Sequence, residues 1–363
     1  MSFHIYGMGT AAPPFAISQD HALDLVRNYG CAGDDHQRQL KALYRLSRVQ
    51  TRHCVVLDSD SRDGLPRQSF FPSMRNDDDR GPTTSDRMAR YELDAPPLAA
   101  AARAALGNAS VDASAVTHLV TVSCTGFAAP NVDVSLIGDL GLRRTVERTH
   151  VGFMGCHGAL NGLRVAKAYA ESMPDACVLV CAVELCSLHF QYGWNSNLLV
   201  ANAIFADGAA AVVGGGRPRG LAADWTLDAS GASLLEASAD LMSWRIGNHG
   251  FEMSLSARVP GVIERELRPW VDGWLAAHGT AVDQIASWAL HPGGPRILEA
   301  SALALGIPRE QYAVSQEVLG EFGNMSSPTI IFILDRLRRR RAPRPCLAIG
   351  FGPGLAVEAA LFG

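Results

Sequence analysis

The 363-residue sequence lacks an excess of basic residues, since 32 Lys and Arg stand against 36 Asp and Glu for a net charge of −4. This balance argues against nucleic acid as the principal partner. The sequence also lacks a run of about 18 uninterrupted apolar residues, so no membrane span is expected. Its eight cysteines include no C-x-x-C pair, and no signal peptide is recognised. Together these absences predict reduced thiols and a cytoplasmic protein.

Strand-like and helix-like segments alternate along the chain. Apolar runs at residues 116–123 and 176–184 predict buried strands. Ser85 is a candidate N-cap for a long alanine-rich helix that ends near Gly107. A glycine-rich segment at residues 214–220 marks a seam between two parts of the chain. Because strands separated by helices form sheets covered by helices, the pattern predicts a layered α/β fold.

The most informative segment surrounds Cys156. An apolar run leads into a Gly-Cys-His-Gly turn at residues 155–158, and a helix-like segment follows. This order would present Cys156 at a helix N-terminus, where unpaired backbone N–H groups and the helix dipole favour a thiolate. The flanking glycines allow close approach of a substrate. The alternative is that Cys156 is a small buried apolar residue, the commonest role of a free cysteine.

Two polar residues far downstream lie at similar junctions beside glycine. His291 ends a short apolar run before Pro-Gly-Gly-Pro, and Asn324 lies in a Gly-Asn-Met-Ser-Ser turn before an apolar helix. Alone, His291 is more simply explained as a structural histidine, and Asn324 as the N-cap of the helix. Together with Cys156, they match the cysteine, histidine and amide set of enzymes that use a sulfur nucleophile.

The sequence resembles the type III polyketide synthases, the chalcone-synthase-like family. The resemblance implies a thiolase-type α-β-α-β-α fold of two similar halves, residues 1–216 with the cysteine and residues 217–363 with the histidine and asparagine. It also implies a homodimer. The matching segments keep the family's order and span most of the chain: Gly155-Cys156, Phe205-Ala-Asp-Gly-Ala-Ala210, His291-Pro-Gly-Gly-Pro295, Gly323-Asn-Met-Ser-Ser327 and Gly350-Phe-Gly-Pro-Gly-Leu355.

The resemblance implies an acyltransferase. Cys156 would take a starter acyl group from acyl-CoA, and malonyl-CoA would then place its thioester oxygen between His291 and Asn324. Those two donors would stabilise the enolate that forms as carbon dioxide leaves. Repeated condensation and ring closure would give a pyrone, a resorcinol or another aromatic product. The CoA thioesters are the substrates, and neither a metal nor a redox cofactor is expected.

Other roles are implied residue by residue. Phe205 and Phe251 match two aromatic gatekeepers between a CoA tunnel and an inner cavity. Ser326 matches a cavity-lining serine, and Gly352 with Pro353 matches the loop that shapes the cavity in which the product cyclises. Without the resemblance, the two phenylalanines would be ordinary strand core and the loop an ordinary glycine turn.

Several positions depart from the plant enzymes. Cys124 and Thr125 stand where those enzymes carry Thr and Ser, and Cys186 and His189 stand where they carry two threonines. Ala129 replaces a methionine that reaches into the partner's cavity. These departures, and the histidine that follows the nucleophile, resemble bacterial members of the family. The four cavity positions are expected to contact substrate, although both cysteines could be plain core residues.

A tunnel for CoA requires cations near its mouth to bind the phosphates. Arg296, just after the Pro-Gly-Gly-Pro turn, is the best candidate. Arg45 and Arg48 lie near the family's basic N-terminal segment. For these two, a role as solvated helix arginines is an equal alternative.

Three rival functions are less consistent with the residues. Ketoacyl-carrier-protein synthases share the cysteine, histidine and asparagine but usually lack His-Pro-Gly-Gly-Pro. A silent paralogue acting as a scaffold would not need all three chemical residues intact. A cysteine hydrolase would have no use for the decarboxylation pair or the gatekeepers.

Overall fold

The computed structural model describes residues 2–29, 34–60, 67–217, 225–236 and 238–363. Nine strands in these ranges form one mixed sheet, and two further pairs form two-stranded ribbons. The strands are β1 Phe3–Ala11, β2 Ala16–Ser18, β3 Thr51–His53, β4 His118–Ser123, β5 Glu147–Gly152, β6 Cys177–Leu185, β7 Asp207–Gly215, β8 Trp225–Leu234, β9 Met242–Gly247, β10 Gly250–Leu255, β11 Ser287–Leu290, β12 Cys346–Gly352 and β13 Ala356–Phe362.

Eleven α-helices lie in the same described ranges, and none of them is long and apolar enough to cross a membrane. They are α1 Gln19–Val26, α2 Asp34–Leu46, α3 Thr84–Leu98, α4 Ala101–Ala109, α5 Val132–Leu140, α6 Gly158–Ser172, α7 Ser196–Ile204, α8 Val259–Ala277, α9 Pro295–Leu305, α10 Ala313–Phe322 and α11 Pro328–Arg339.

The strand order of the large sheet shows two similar halves. Across the sheet the strands run β5-β4-β6-β7-β1 and then β8-β13-β12-β11. The antiparallel pair β1 and β8 joins the two groups. In the first group, β7 is antiparallel to both of its neighbours, β1 and β6. In the second group, β13 is likewise antiparallel to β8 and β12. The parallel pairs, β4 with β6 and β11 with β12, lie toward the edges of the sheet. The second group differs by having one edge strand fewer. The predicted boundary at residues 216 and 217 falls between β7 and β8, and residues 218–220 of the predicted seam lie outside the described ranges.

The two halves of the sheet separate three layers of helices. Along β6, Leu179 and Cys181 face a cluster with α3, α4 and α5, whereas Val178 and Val180 face α6 and α11. On β12, Leu347 and Ile349 face a third cluster with α8 and α9, whereas Cys346 and Ala348 face the cluster that contains α6 and α11. Because neighbouring strand residues point to opposite faces, both halves of the sheet are covered on both sides. The α-β-α-β-α layering is therefore confirmed, with α6 and α11 as the central helix layer.

The predicted alanine-rich helix is wrong in its start and in its continuity. The N-cap is Thr83 rather than Ser85, and Thr83 forms a reciprocal capping box with Asp86. The helix then stops at Leu98, and α4 starts at Ala101. Two adjacent prolines, Pro96 and Pro97, lie at the end of α3, where they supply no backbone N–H groups to continue it.

Strand β1 approaches helix α4 so closely that its glycines leave no room for a side chain. A Cβ atom at Gly9 would collide with backbone atoms of Ala101 and Ala105. Gly107, on α4 itself, has no atom within 4 Å of the position that its Cβ would take. Packing therefore requires a glycine at residue 9 but not at residue 107, and the two positions form a matched pair for substitution.

We expect Gly9→Ala to lower the free energy of unfolding by about 1–3 kcal/mol, because backbone cannot move aside as a side-chain tip can. Gly107→Ala should raise it by about 1 kcal/mol, since alanine is the better helix former. Urea unfolding followed by circular dichroism measures both. Equal stability of the two variants would contradict this account of the contact.

Candidate active site

Three loops carry the predicted catalytic residues to one place. Cys156 lies between β5 and α6, His291 directly follows β11, and Asn324 lies between α10 and α11. The central helices α6 and α11 contact each other, so the loops that precede them meet. Cys156, His291 and Asn324 line one cavity with an empty volume of about 530 Å³. The structure therefore brings together three residues that are remote in sequence.

The turn that holds Cys156 depends on close backbone packing. Gly155 has a φ of +80°, in the left-handed region that favours glycine. A Cβ atom there would also lie 2.5 Å from Cδ of Pro353. Helix α6 begins at Gly158 with His157 as the N-cap residue, so Cys156 lies one residue before the cap. Among the cysteines of the described ranges, Cys156 alone is partly exposed, and it faces the cavity while protein atoms surround the thiol on its other sides.

Burial opposes the thiolate that the helix end was predicted to favour. It raises the pKa of Cys156 to about 11. A hydrogen bond between Ser326 Oγ and Cys156 Sγ, 3.5 Å apart, lowers this pKa, the carboxylate of Glu184 raises it, and a hydrogen bond from Asn324 lowers it. Burial outweighs the two hydrogen bonds, so the thiol is neutral. Ser326 and Asn324 are the groups that stabilise the thiolate when it forms.

His291 is buried with both ring nitrogens unoccupied. Its backbone N–H donates to the carbonyl of Ile349 on β12 at 2.8 Å, which fixes the residue at the end of the parallel pair. Neither Nδ1 nor Nε2 has a hydrogen-bond partner among the described residues. Burial lowers the pKa of His291 to about 3, so the ring is neutral. A neutral imidazole offers one donor and one acceptor, and both are available to a substrate.

Asn324 is held by its backbone next to the first gatekeeper. Its N–H donates to Ile204 O at 2.9 Å, and its carbonyl accepts from the N–H of Ala206 at 2.9 Å, on either side of Phe205. Its side-chain oxygen accepts from the N–H of Ser326 at 2.8 Å, which leaves the amide NH₂ as a donor toward the cavity. The alternative role as a helix cap is wrong, because the N-cap of α11 is Ser327.

A larger, mainly apolar cavity adjoins the first one at Cys156 and Phe205. Its empty volume, which includes its open mouth, is about 1180 Å³. Aliphatic side chains of α1, including Ala22 and Leu25, form part of its wall. The predicted substrate-contacting residues that line it are Thr125, Cys186, His189, Phe205, Phe251, Ser326 and Pro353.

Two predicted substrate contacts, Cys124 and Gly352, lie outside both cavity linings. Cys124 is buried behind Ser326, and its Sγ lies 3.5 Å from Ser326 Oγ. Gly352 packs against His157, where a Cβ atom would lie 2.5 Å from the imidazole Nε2. Both residues therefore support the wall from behind.

The two predicted gatekeepers are held differently. Phe205 lines both cavities and stands where they meet. Phe251 is stacked on the ring of His189, with centroids 4.1 Å apart and planes 14° apart. The N–H of Phe251 donates to His189 Nδ1 at 2.9 Å, so Nε2 carries the hydrogen and donates to Thr125 O at 2.7 Å. His189 is thus a neutral ring with no free nitrogen.

Glu184 is a central residue that the sequence interpretation missed. Its carboxylate is fully buried. It accepts hydrogen bonds from Cys124 N at 2.9 Å, Thr125 Oγ1 at 2.7 Å and Ser327 Oγ at 2.6 Å. These bonds join the loop after β4 to the loop that carries Asn324. The sequence signal is a carboxylate within the otherwise apolar strand β6, which needs buried donors.

Comparison with known proteins assigns the family. The family description "Chalcone and stilbene synthases, N-terminal domain" matches residues 3–218, and the corresponding C-terminal description matches residues 226–363. The chain belongs to the chalcone and stilbene synthase family.

Members of the chalcone and stilbene synthase family that are similar to this chain come from bacteria and from eukaryotes. The chain is 32% identical to the alpha-pyrone synthesis polyketide synthase-like Pks18 of Mycobacterium tuberculosis, over 99% of this chain and 90% of that protein. It is also 32% identical to the 1,3,6,8-tetrahydroxynaphthalene synthase of Streptomyces peucetius subsp. caesius, over 96% and 90%. Among solved structures, PKS-I from the brown alga Ectocarpus siliculosus has a TM-score of 0.91 at 32% identity, over 100% of this chain and 98% of that one.

The arginines proposed for CoA do not line either cavity of this family member. Arg296 is exposed on the first turn of α9, next to Ile297, which does line the smaller cavity. Arg48 is paired with Glu299 of the same helix at 2.7 Å. Arg45 is exposed on the last turn of α2. Arg296 is therefore the one placed beside a cavity-lining residue, and Arg48 already has a counter-ion.

We expect Ser326→Ala to slow alkylation of Cys156 by iodoacetamide about tenfold at a fixed pH near 8. A hydrogen bond to a charged group contributes roughly 1.5 kcal/mol, and its loss raises the thiol pKa and reduces the thiolate. Mass spectrometry of the labelled peptide measures the rate. Ser301→Ala, a buried serine that donates to Ile297 O within α9, is the control and should label at the wild-type rate. Equal rates in both variants would contradict the role of Ser326.

Proposed function

We propose that this protein is a type III polyketide synthase, with Cys156 as the nucleophile and His291 and Asn324 as the decarboxylation pair. The observation that carries the proposal is that sulfur, imidazole and amide line one cavity, with the imidazole nitrogens unpaired. Family membership over both halves of the chain supports the same reaction class. Of the relatives, Pks18 is named as polyketide synthase-like and for the synthesis of an α-pyrone, and the Streptomyces protein is named as a 1,3,6,8-tetrahydroxynaphthalene synthase.

In the loading step, Cys156 Sγ attacks the carbonyl carbon of an acyl-CoA thioester. Because burial favours the neutral thiol, the proton must leave as the S–C bond forms, and the free imidazole nitrogen of His291 accepts it. The CoA sulfur departs and takes this proton from His291. The acyl group is then on Cys156 and His291 is neutral again, ready for the next step.

In the extension step, malonyl-CoA places its thioester oxygen between His291 and Asn324. The neutral imidazole N–H and the amide NH₂ donate to this oxygen as the C–C bond to the carboxylate breaks and carbon dioxide leaves. The enolate carbon then attacks the acyl carbonyl on Cys156. A C–C bond forms, the C–S bond breaks, and the thiolate is released for another cycle. The cycle uses CoA thioesters as substrates and needs no metal or redox cofactor.

We propose that the larger cavity holds the acyl starter and the growing chain. It begins at Cys156, and its lining combines Phe251 and His189 with aliphatic side chains of α1. Among the described residues of its lining, Arg52 is the one lysine or arginine, and it already donates to the carbonyls of Asn202 and Phe205 at 2.6 and 3.1 Å. An apolar acyl group therefore fits this cavity better than a charged one.

We propose a homodimer in the cytoplasm. Strand β5 lies at the edge of the large sheet with several exposed side chains. Exposed apolar residues lie near that edge, namely Phe127, Val134 and Met154. A free strand edge beside apolar surface favours association with a second copy. The eight cysteines of the chain include no C-x-x-C pair, which suits a reducing compartment.

Three substitutions separate the two chemical steps. We expect Cys156→Ala to abolish transfer of a radiolabelled acyl group from acyl-CoA to the protein. His291→Gln and Asn324→Ala should each slow decarboxylation of malonyl-CoA about 10²–10³-fold, because each removes one donor to the enolate oxygen. Release of labelled carbon dioxide measures the second step. Unchanged decarboxylation in both His291→Gln and Asn324→Ala would overturn their assignment.

Incubation of the purified protein with malonyl-CoA and a panel of aryl and fatty acyl-CoA starters tests the function itself. We expect starters with apolar acyl groups to yield products heavier by whole two-carbon extensions, detected by mass spectrometry. Cys156→Ala is the matched control and should yield none. Absence of an extended product with every starter would contradict the proposed function.

A further inference from the structure

A row of buried polar side chains lies directly behind the nucleophile. His157, Asn161 and Glu358 are only 2%, 4% and 4% exposed. His157 Nδ1 lies 2.7 Å from Asn161 Oδ1, and Asn161 Nδ2 donates to Glu358 Oε1 at 2.7 Å. Arg164, which is half-exposed, donates to the same carboxylate at 3.1 and 3.2 Å. We call His157, Asn161 and Glu358 the relay.

The direction of each hydrogen bond in the relay follows from its charged end. The carboxylate of Glu358, paired with Arg164, can only accept, so it receives the amide N–H of Asn161. The amide oxygen of Asn161 then faces His157, and Nδ1 of the imidazole must carry the hydrogen. The carboxylate therefore determines the tautomer of the residue next to Cys156.

The relay also joins the two halves of the molecule. Cys156 and His157 belong to the first half, whereas Glu358 lies on β13 of the second half, opposite Gly350 of β12. His157 packs on strand β12, since Cβ atoms at Gly350 and Gly352 of that strand would meet its side chain. Strand β12 in turn holds His291 through the carbonyl of Ile349. The turn that carries Cys156 and the residue His291 are thus both held against strand β12.

We propose that His157 is a positioning residue: through Asn161 and Glu358 it fixes the turn that carries Cys156 against strand β12, and so sets the place of the sulfur relative to His291. The inference rests on the proposed function, in which both groups act on one thioester. The relay then acts by positioning the Cys156 turn and not by transferring a proton, since His157 lines neither cavity. A fully paired buried network specifies one arrangement, which an apolar contact would not.

Two substitutions of His157 separate the hydrogen bond from the volume. His157→Phe keeps a planar ring but removes the donor to Asn161. His157→Asn loses volume but keeps an amide N–H near the position of Nδ1. A third variant, Leu160→Val, alters a buried neighbour on α6 whose apolar side chain also approaches Gly350. Thermal unfolding, steady-state kinetics with malonyl-CoA and alkylation of Cys156 are measured for all three.

We expect His157→Phe to lower kcat about 10- to 100-fold with the KM for malonyl-CoA within about twofold, because a small displacement of the sulfur affects the reaction more than binding. Its rate of Cys156 alkylation should change in parallel with kcat. His157→Asn should retain kcat within about threefold of wild type. Leu160→Val should lower the melting temperature while kcat stays at the wild-type value.

An unchanged kcat in His157→Phe would overturn the proposal, and so would equal losses in His157→Phe and His157→Asn, since volume and not the hydrogen bond would then matter. A rise in KM alone would also contradict it. Alkylation of Cys156 is measured without any substrate. A wild-type protein that makes no polyketide would therefore refute the proposed function, while the alkylation rates of the variants would still report on His157.

Discussion

The contact between the two buried helices α6 and α11 is the constraint on which the site depends. Each helix lies between the two halves of the large sheet, and each is preceded by a loop with a chemical residue, Cys156 or Asn324. Because the helices are surrounded by sheet on both sides, neither can slide without disturbing the core. The third residue, His291, directly follows β11, which pairs in parallel with β12 in the second half. The site is thus assembled where the two similar halves meet.

Burial is the second general influence, and it acts on both the thiol and the imidazole of the site. It raises the pKa of the Cys156 thiol and lowers that of the His291 imidazole, so both are neutral before substrate enters. For His291 this is useful, since a neutral ring has one nitrogen that can accept the thiol proton and one N–H that can donate to the enolate oxygen. For Cys156 it means that charge has to develop during the attack, with Ser326 and Asn324 as the stabilising donors. The fold therefore stabilises the charge that develops during the reaction with oriented hydrogen-bond donors and not with side chains that are already charged.

The sequence predicted that Cys156, His291 and Asn324 lie together, and the structure places all three on one cavity, whereas their surroundings were predicted less well. Cys156, His291 and Asn324 could be found because each lies beside glycine at a strand or helix junction, a local pattern that is visible in the chain. The tautomer of His189, the support from Cys124 and the carboxylate of Glu184 depend on contacts between segments far apart in sequence. The split between α3 and α4 was missed although its cause, Pro96-Pro97, is local. The resting charge of Cys156 was misjudged because a helix end is visible in the sequence and the depth of burial is not.

One consequence concerns the wall beside the second gatekeeper. His189 has one nitrogen committed to the N–H of Phe251 and the other to the carbonyl of Thr125, and burial lowers its pKa to about 3. Such a ring cannot take up a proton under mild acidity, nor rotate without breaking two bonds. The dimensions of the chamber at this point are therefore insensitive to the acidity of the medium. The space beside Phe251 is therefore set by the side chains that surround it and not by protonation of His189.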